Sequence, residues 1–146
     1  MRQRLRGLVA EHAIMYSRKR IGFTDFSDEE NRELPPVPQT LVRRHPGSGR
    51  MGLYLASHAG RIFGMSEAEG QPLLQQLMEH ATQRRFVYTH RWRVHDLVMW
   101  DNRCTMHRGK PYDDLRWPRD MQRATVSDVA PTCEQEGGQV PAAALG

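Results

Sequence analysis

The sequence predicts a mostly β fold that carries an N-terminal helix and one inserted helix. Five short strand-like runs are separated by segments rich in Gly, Pro, Asn and Asp. Such runs are typical of strands. Only two long segments place apolar residues three and four positions apart, as an amphipathic helix requires.

The first predicted element is a helix over residues 5–16, where apolar side chains recur at helical spacing. The cations at 18–20 follow it, and positive charge is favourable at a helix C-terminus. A second, short helix is predicted to begin at Ser27, because Ser27 and Glu30 match the capping-box pattern. The prolines at 35–36 end it.

A hairpin is predicted next. Residues 40–44 and 51–56 are strand-like, and the six residues between them are rich in types that tolerate tight turns. The two runs therefore predict antiparallel strands joined by a loop.

The inserted helix is predicted over residues 67–82 from a single apolar stripe. The stripe consists of Leu73, Leu74, Leu77, Met78 and Ala81. Its start is ambiguous: Ser66 and Glu69 match a capping box, whereas Gly70 and Pro72 would interrupt a helix begun there. Placing Pro72 in the first turn resolves the conflict.

Three further runs, 86–92, 96–100 and 123–127, are strand-like. The last segment, 130–146, is rich in Gly, Pro, Ala and polar residues and lacks periodicity. This composition predicts a disordered tail.

One stretch combines residue types that suit a metal and acidic ligands. Residues 100–109 read Trp-Asp-Asn-Arg-Cys-Thr-Met-His-Arg-Gly, which places His107 at a strand end. Arg119 and Arg123 follow, and residues four apart on a strand share a face. From spacing alone, a histidine bound to a backbone carbonyl and two solvated arginines would be the simpler interpretation. The motif as a whole favours a site.

The pattern resembles the C-terminal half of the taurine dioxygenase family of iron(II)/2-oxoglutarate oxygenases. The resemblance runs from about residue 8 to residue 127. It includes Ala10-Glu11-His12, Pro35-Pro36-Val37, residues 45–50 and Glu79-His80-Ala81-Thr82-Gln83. It implies that residues 1–129 are the C-terminal portion of a dioxygenase domain and form part of a double-stranded β-helix, or jelly roll.

The resemblance also implies roles for three residues. His107 would be an iron ligand, Arg119 would pair with the distal carboxylate of 2-oxoglutarate, and Arg123 would hold the acidic group of the substrate. The implied reaction oxidises an aryloxyalkanoate, as in the breakdown of aromatic herbicides. Decarboxylation of 2-oxoglutarate would be coupled to hydroxylation beside the ether oxygen, and the product would collapse to a phenol and an oxoacid.

The chain lacks the motif that supplies the other two iron ligands. Iron sites of this kind use two histidines and one carboxylate, and the family takes two of them from a His-x-Asp or His-x-Glu motif. None of the seven histidines here is followed at the second position by Asp or Glu. The adjacent His95 and Asp96 do not substitute, because neighbours on a strand point to opposite faces. We therefore expect neither activity nor binding of Fe(II) and 2-oxoglutarate by this chain alone.

Two hypotheses follow. Either an N-terminal half that contains His-x-Asp completes a working enzyme, or the chain is a non-catalytic remnant or interaction module that needs a complementary chain or a second copy. Half a jelly roll would expose strand edges and apolar faces.

Composition excludes other classes of partner. The net charge is +4, but nineteen of the 21 basic residues are arginines spread along the chain among 17 acids, so no nucleic-acid surface is predicted. The longest apolar run, 97–100, is too short to span a bilayer, and the basic N-terminus lacks a signal-peptide core. We expect a cytoplasmic protein with a small acidic substrate.

Overall fold

The computed structural model describes residues 2–135. These residues form five strands, five α-helices and one 3-10 turn. In chain order the elements are α1 (Arg2–Leu5), β1 (Val9–His12), α2 (Ile14–Lys19), α3 (Asp28–Glu33), β2 (Val37–Thr40), β3 (Val42–Arg44), β4 (Met51–Leu53), β5 (Ala59–Ile62), α4 (Glu67–Ala81), the 3-10 turn (Arg84–Phe86) and α5 (Thr132–Gln135).

The strands form two sheets. In the first, β1 lies between β2 and β5 and pairs antiparallel with both. In the second, β3 and β4 form the predicted hairpin, with Val42 opposite Leu53 and Arg44 opposite Met51. The two sheets are joined through Leu41, whose N–H donates to the Leu8 carbonyl and whose own carbonyl accepts from the Tyr54 N–H.

The core lies between the three-stranded sheet and α4. Leu74 and Leu77 of α4 are buried, and they belong to the same cluster as Ile62 of β5. The other buried members of this cluster are Leu5, Ala10, Leu41, Leu55 and Ala59. Side chains from helix and sheet are thus removed from water together, which is the main source of stability in a small core.

The inserted helix is confirmed with its start at residue 67, but the placement of Pro72 in its first turn is wrong. Ser66 is the N-cap and forms a capping box with Glu69, so α4 begins at Glu67. Pro72 therefore lies inside the helix, beyond its first turn. Proline removes one intrahelical hydrogen bond. The capping box provides hydrogen-bond acceptors for two backbone N–H groups at the N-terminus of the helix. The short helix α3 begins after Ser27 with the predicted capping box.

The predicted N-terminal helix over 5–16 is wrong. The segment forms α1, then β1, then the start of α2. Three of the four residues of β1 are buried, because β1 is the central strand and is covered on both faces. Apolar residues at mixed spacing suit such a strand as well as a helix, and pairing with β2 and β5 decides between them.

The three later strand predictions, 86–92, 96–100 and 123–127, are also wrong for this structure. Residues 87–131, called here the C-terminal segment, contain neither helix nor strand. A strand needs a neighbour to accept and donate its backbone hydrogen bonds, and the described part of the chain provides none here. The predicted combination of sheet and helices is present, but the described residues do not form a closed barrel.

Part of the predicted disordered tail is helical in the structure. Thr132–Gln135 form α5, in which Thr132 and Cys133 are buried. Residues 136–146 of the predicted tail lie outside the described residues. The predicted end of the dioxygenase portion at residue 129 remains a prediction.

No helix among the described residues is long and apolar enough to cross a membrane.

A polar cluster around the buried Glu11 connects α2 to the sheet. The Glu11 carboxylate of β1 accepts hydrogen bonds from the Tyr16 hydroxyl and from Arg61 of β5, the latter at 2.9 Å. Burial, and then the hydrogen bond to Glu11, raise the pKa of Tyr16 to about 12. Gly60 makes room for the Tyr16 ring, since a Cβ at Gly60 would overlap the ring.

His12 predicts a pH dependence of stability. Its ring stacks on Tyr54 with centroids 5.7 Å apart, and its Nε2 atom is buried without a hydrogen-bond partner among the described residues. Desolvation, helped by nearby His58, lowers the pKa of His12 from 6.5 to about 4. Between these values the unfolded chain binds a proton that the folded chain does not, so stability falls as the pH falls. The loss should approach roughly 3 kcal/mol.

Urea unfolding at a series of pH values between 4 and 7 measures this loss. His12→Phe keeps a ring on Tyr54 and should flatten the profile over this range. The exposed His80→Gln is the control and should retain the wild-type slope. A profile that is equally steep in His12→Phe would show that His12 is not responsible.

Candidate functional site

His107 lies just after a tight turn and is exposed. The turn is built on the Asp101 carbonyl, which accepts hydrogen bonds from the backbone N–H groups of Cys104 and Thr105 and from the Thr105 hydroxyl. The His107 ring packs against the Trp100 ring with centroids 4.7 Å apart. The imidazole is therefore held next to the turn.

The two predicted clamp arginines are exposed as well. The Arg119 guanidinium lies 5.8 Å from the centre of the Tyr112 ring. It also lies beside Gly109, where a Cβ would be 3.9 Å from Arg119 Nη1. The structure thus brings Arg119 close to the backbone two residues after His107. Among residues 2–135, no hydrogen bond, ion pair or ring contact joins His107, Arg119 and Arg123.

Asp101 is the centre of the polar network in this region. Its carboxylate accepts from Arg103 through Nη2 at 2.7 Å and through Nε at 2.9 Å. It also accepts from His45 Nε2 at 3.0 Å. The Arg103 side chain first, and then His45, hold the pKa of Asp101 far below its usual value. Asp101 is therefore an anion at neutral pH, bound on two sides.

Asp101 belongs to the motif at residues 100–109, but its contact with His45 was not predicted from the sequence. His45 is in the loop between β3 and β4, 56 residues before Asp101. A His-Pro-Gly loop indicates only a turn, and nothing in the local sequence indicates its distant partner.

His45, Asp101 and Cys104 form a cluster of possible metal ligands, with donor atoms within 4.8 Å of one another. The cluster does not fit iron(II) of this enzyme class. It includes a thiol and excludes His107, and its carboxylate is already bound by an arginine. One imidazole at His107 is a third of the required ligand set. The described residues alone therefore do not make the iron site.

A second polar network ties the far end of the C-terminal segment to the hairpin. Arg43 of β3 is 2% exposed and donates to Asp128 at 3.2 Å and to Gln135 at 2.8 Å. The Arg43 guanidinium also lies over the Tyr54 ring. The Thr132 hydroxyl accepts from the Thr40 N–H at 2.9 Å and donates to Gln39. These contacts fix residues 128–135 on β2 and β3.

The C-terminal segment exposes many large apolar side chains. Five of them, Leu97, Met99, Leu115, Val126 and Val129, are at least 90% exposed. Others that are more than 40% exposed include Val87, Tyr88, Trp92, Val94, Tyr112, Trp117 and Met121. Exposed apolar side chains in this number are typical of a region that packs against something else.

The family model of the taurine catabolism dioxygenase TauD, TfdA family, matches residues 1–125. The chain belongs to this family. A curated relative is the alpha-ketoglutarate-dependent 2,4-dichlorophenoxyacetate dioxygenase of Cupriavidus pinatubonensis, which is 51% identical over 130 residues. That alignment covers 89% of this chain and 45% of the relative. The (S)-phenoxypropionate/alpha-ketoglutarate-dioxygenase of Sphingobium herbicidovorans is 39% identical and is covered to 42%.

Solved structures support the same family. The crystal structure of AAD-2 in complex with Mn(II) and N-oxalylglycine matches with a TM-score of 0.84 and 56% identity, over 90% of this chain and 52% of that one. A putative alpha-ketoglutarate dependent 2,4-D dioxygenase from Burkholderia xenovorans matches with a TM-score of 0.68 and 53% identity, over 70% and 40%. The predicted TauD-family membership is confirmed. This TauD-family chain spans about half the length of the relatives it matches.

The Arg43 network predicts a measurable contribution to stability. Burial would raise the pKa of Asp128, yet the Val129 N–H, Gln135 and Arg43 together lower it. Asp128→Asn should therefore destabilise the chain by about 1–2 kcal/mol, because the buried Arg43 loses its counter-charge while Asp128 is partly solvated. Since the folded pKa is depressed, this contribution is present above the ordinary aspartate pKa of about 4 and is lost on further acidification.

Urea unfolding at pH 7 measures the effect of Asp128→Asn. The exposed Asp120→Asn is the matched control and should change stability by less than about 0.5 kcal/mol. Equal effects of the two substitutions would contradict a specific role for Asp128.

Proposed function

We propose that this chain is the C-terminal portion of an iron(II)- and 2-oxoglutarate-dependent dioxygenase that acts on an aryloxyalkanoate such as 2,4-dichlorophenoxyacetate. The observation that carries the proposal is the 51% identity to the 2,4-dichlorophenoxyacetate dioxygenase over 130 residues. The reaction couples decarboxylation of 2-oxoglutarate to hydroxylation of the substrate and cleavage of its ether bond.

The proposal gives each predicted residue one task. His107 supplies one imidazole to the iron, and this residue is exposed with its ring packed on Trp100. Arg119 binds the distal carboxylate of 2-oxoglutarate, and Arg123 binds the acidic group of the substrate. A guanidinium suits both tasks, because its planar fork donates two parallel charge-assisted hydrogen bonds to a carboxylate. The proximity of Arg119 to Gly109 supports a shared site with His107.

The remaining iron ligands come from an N-terminal portion with a His-x-Asp motif. The C-terminal segment supports this division of the site. Its sequence is strand-like, its apolar side chains are exposed, and its backbone lacks strand partners within residues 2–135. Strands from an N-terminal portion would complete the jelly roll and cover these side chains.

The same exposed surface favours a second candidate, a non-catalytic module that needs a complementary chain or a second copy. Apolar side chains on this scale favour association whether or not a reaction follows. Activity after completion separates the two candidates.

The test is to supply the missing portion. The chain is expressed alone, and also with the part of the Cupriavidus pinatubonensis relative that precedes the aligned region. Each sample receives Fe(II), oxygen, 2-oxoglutarate and 2,4-dichlorophenoxyacetate, and succinate and phenol are quantified. We expect no succinate from the chain alone and turnover from the combined proteins. Turnover by the chain alone that disappears in His107→Ala would refute the need for a second portion. A stable complex without turnover would favour the non-catalytic module.

In the completed enzyme, the two arginines should have separable effects. Arg119→Ala should raise KM for 2-oxoglutarate by about 10- to 100-fold with a smaller effect on the aryloxyacetate, since a bidentate charged contact contributes about 1.5–3 kcal/mol. Arg123→Ala should show the opposite pattern. Steady-state kinetics with each substrate varied in turn provides the measurement.

The two substitutions serve as controls for each other, and Arg116→Ala serves as a surface control. Arg116 is exposed and stacks on Trp117, so its removal should leave both KM values unchanged. If Arg119→Ala weakens both substrates equally, the assignment of Arg119 is wrong.

A further inference from the structure

His45 is held in one orientation by its own loop. Its backbone N–H donates to the Arg50 carbonyl and its carbonyl accepts from the Gly49 N–H, so the residue closes the β3–β4 loop. Its Nδ1 atom lies 3.1 Å from the Ser48 N–H, which donates to it. An added Cβ at Gly47 would lie 3.2 Å from the imidazole, so glycine leaves room for the ring. The imidazole is 19% exposed.

These contacts fix the tautomer. A neutral imidazole carries one N–H. Because the Ser48 N–H donates to Nδ1, that nitrogen is the acceptor and Nε2 carries the hydrogen. The Nε2–H then donates to Asp101 Oδ2 at 3.0 Å. The same argument explains why Nε2 is unsuited to bind a metal in the neighbouring cluster.

Asp101 connects this imidazole to the turn before His107. Its carboxylate accepts from His45 and Arg103, while its carbonyl accepts from the Cys104 and Thr105 N–H groups. The position of Asp101 thus sets the position of the turn. His107 follows two residues after Thr105, with its ring on Trp100.

We propose that His45 is a positioning residue, which fixes the segment that carries His107 by donating its Nε2–H to Asp101. The inference rests on the proposed function only in regarding His107 as the iron ligand. The hydrogen-bonded β3–β4 loop provides the reference point, and the bond from His45 to Asp101 joins residues 56 positions apart in the sequence. Neighbouring hydrogen bonds orient the groups at a metal site, and their loss typically lowers metal affinity or activity by about 10- to 100-fold.

Two substitutions distinguish the contact of His45 with Ser48 in its own loop from its hydrogen bond to Asp101. His45→Asn keeps an acceptor near the Nδ1 position for Ser48, but its shorter side chain does not reach Asp101. His45→Gln places an N–H near the Nε2 position and can still donate to Asp101. A third variant, His90→Ala, is the control. His90 and Asp96 form a pair of nearly the same length, 2.9 Å, that is local and does not touch the hairpin.

The test uses the full chain and two measurements that need no metal. Nitrogen NMR of the wild-type imidazole should show His45 protonated on Nε2 and unprotonated on Nδ1. Amide hydrogen exchange at Cys104 and Thr105 should be about tenfold faster in His45→Asn, and should stay within about threefold of wild type in His45→Gln and His90→Ala.

Two results would overturn the proposal: a wild-type His45 protonated on Nδ1, or equal exchange in His45→Asn and His45→Gln. Thermal unfolding of each variant shows whether the hairpin is retained, and the tautomer of the wild-type ring is decisive even if one variant does not fold. Neither measurement depends on iron or on turnover. The role of His45 can therefore be decided even if the proposed function is wrong.

Discussion

The structure depends on the central position of β1. This strand donates and accepts along both edges, to β2 on one side and β5 on the other, and most of it is buried. A buried strand must pair all its backbone groups, so β1 fixes both neighbours in register. The Glu11 carboxylate on β1 then accepts hydrogen bonds from Tyr16 and Arg61. The backbone hydrogen bonds of Leu41 connect this sheet to the β3–β4 hairpin.

The C-terminal segment is attached in a different way. Its apolar side chains are exposed and do not enter the core. Two polar contacts attach it to the hairpin instead: the hydrogen bond between Asp101 and His45, and the ion pair between Asp128 and Arg43. Hydrogen bonds fix direction and position, whereas apolar burial is non-directional. The hairpin thus orients residues that the core does not hold.

Local signals decided which elements could be predicted. The helix α4, the short helix α3 and the β3–β4 hairpin follow from capping boxes, an apolar stripe and a turn-rich loop, all contained within a few residues. The helix predicted over 5–16 failed because pairing with distant strands overrode the local spacing. The strand β5 contains Gly60 and Arg61 and lacked a pattern to predict it. The strands predicted in the C-terminal segment were wrong because no neighbouring strand among the described residues pairs with them, although their composition is strand-like.

The sequence by itself identified the family, because the motifs that carry the resemblance lie in short stretches of consecutive residues. The resemblance in turn supplied the three candidate site residues, His107, Arg119 and Arg123. The sequence also determined that His-x-Asp is absent. Only the tertiary structure decided that His45 meets Asp101 and that the buried Arg43 meets Asp128. These partners are 56 and 85 residues apart, and no local pattern specifies a contact that forms only when the sheet and its loops are in place.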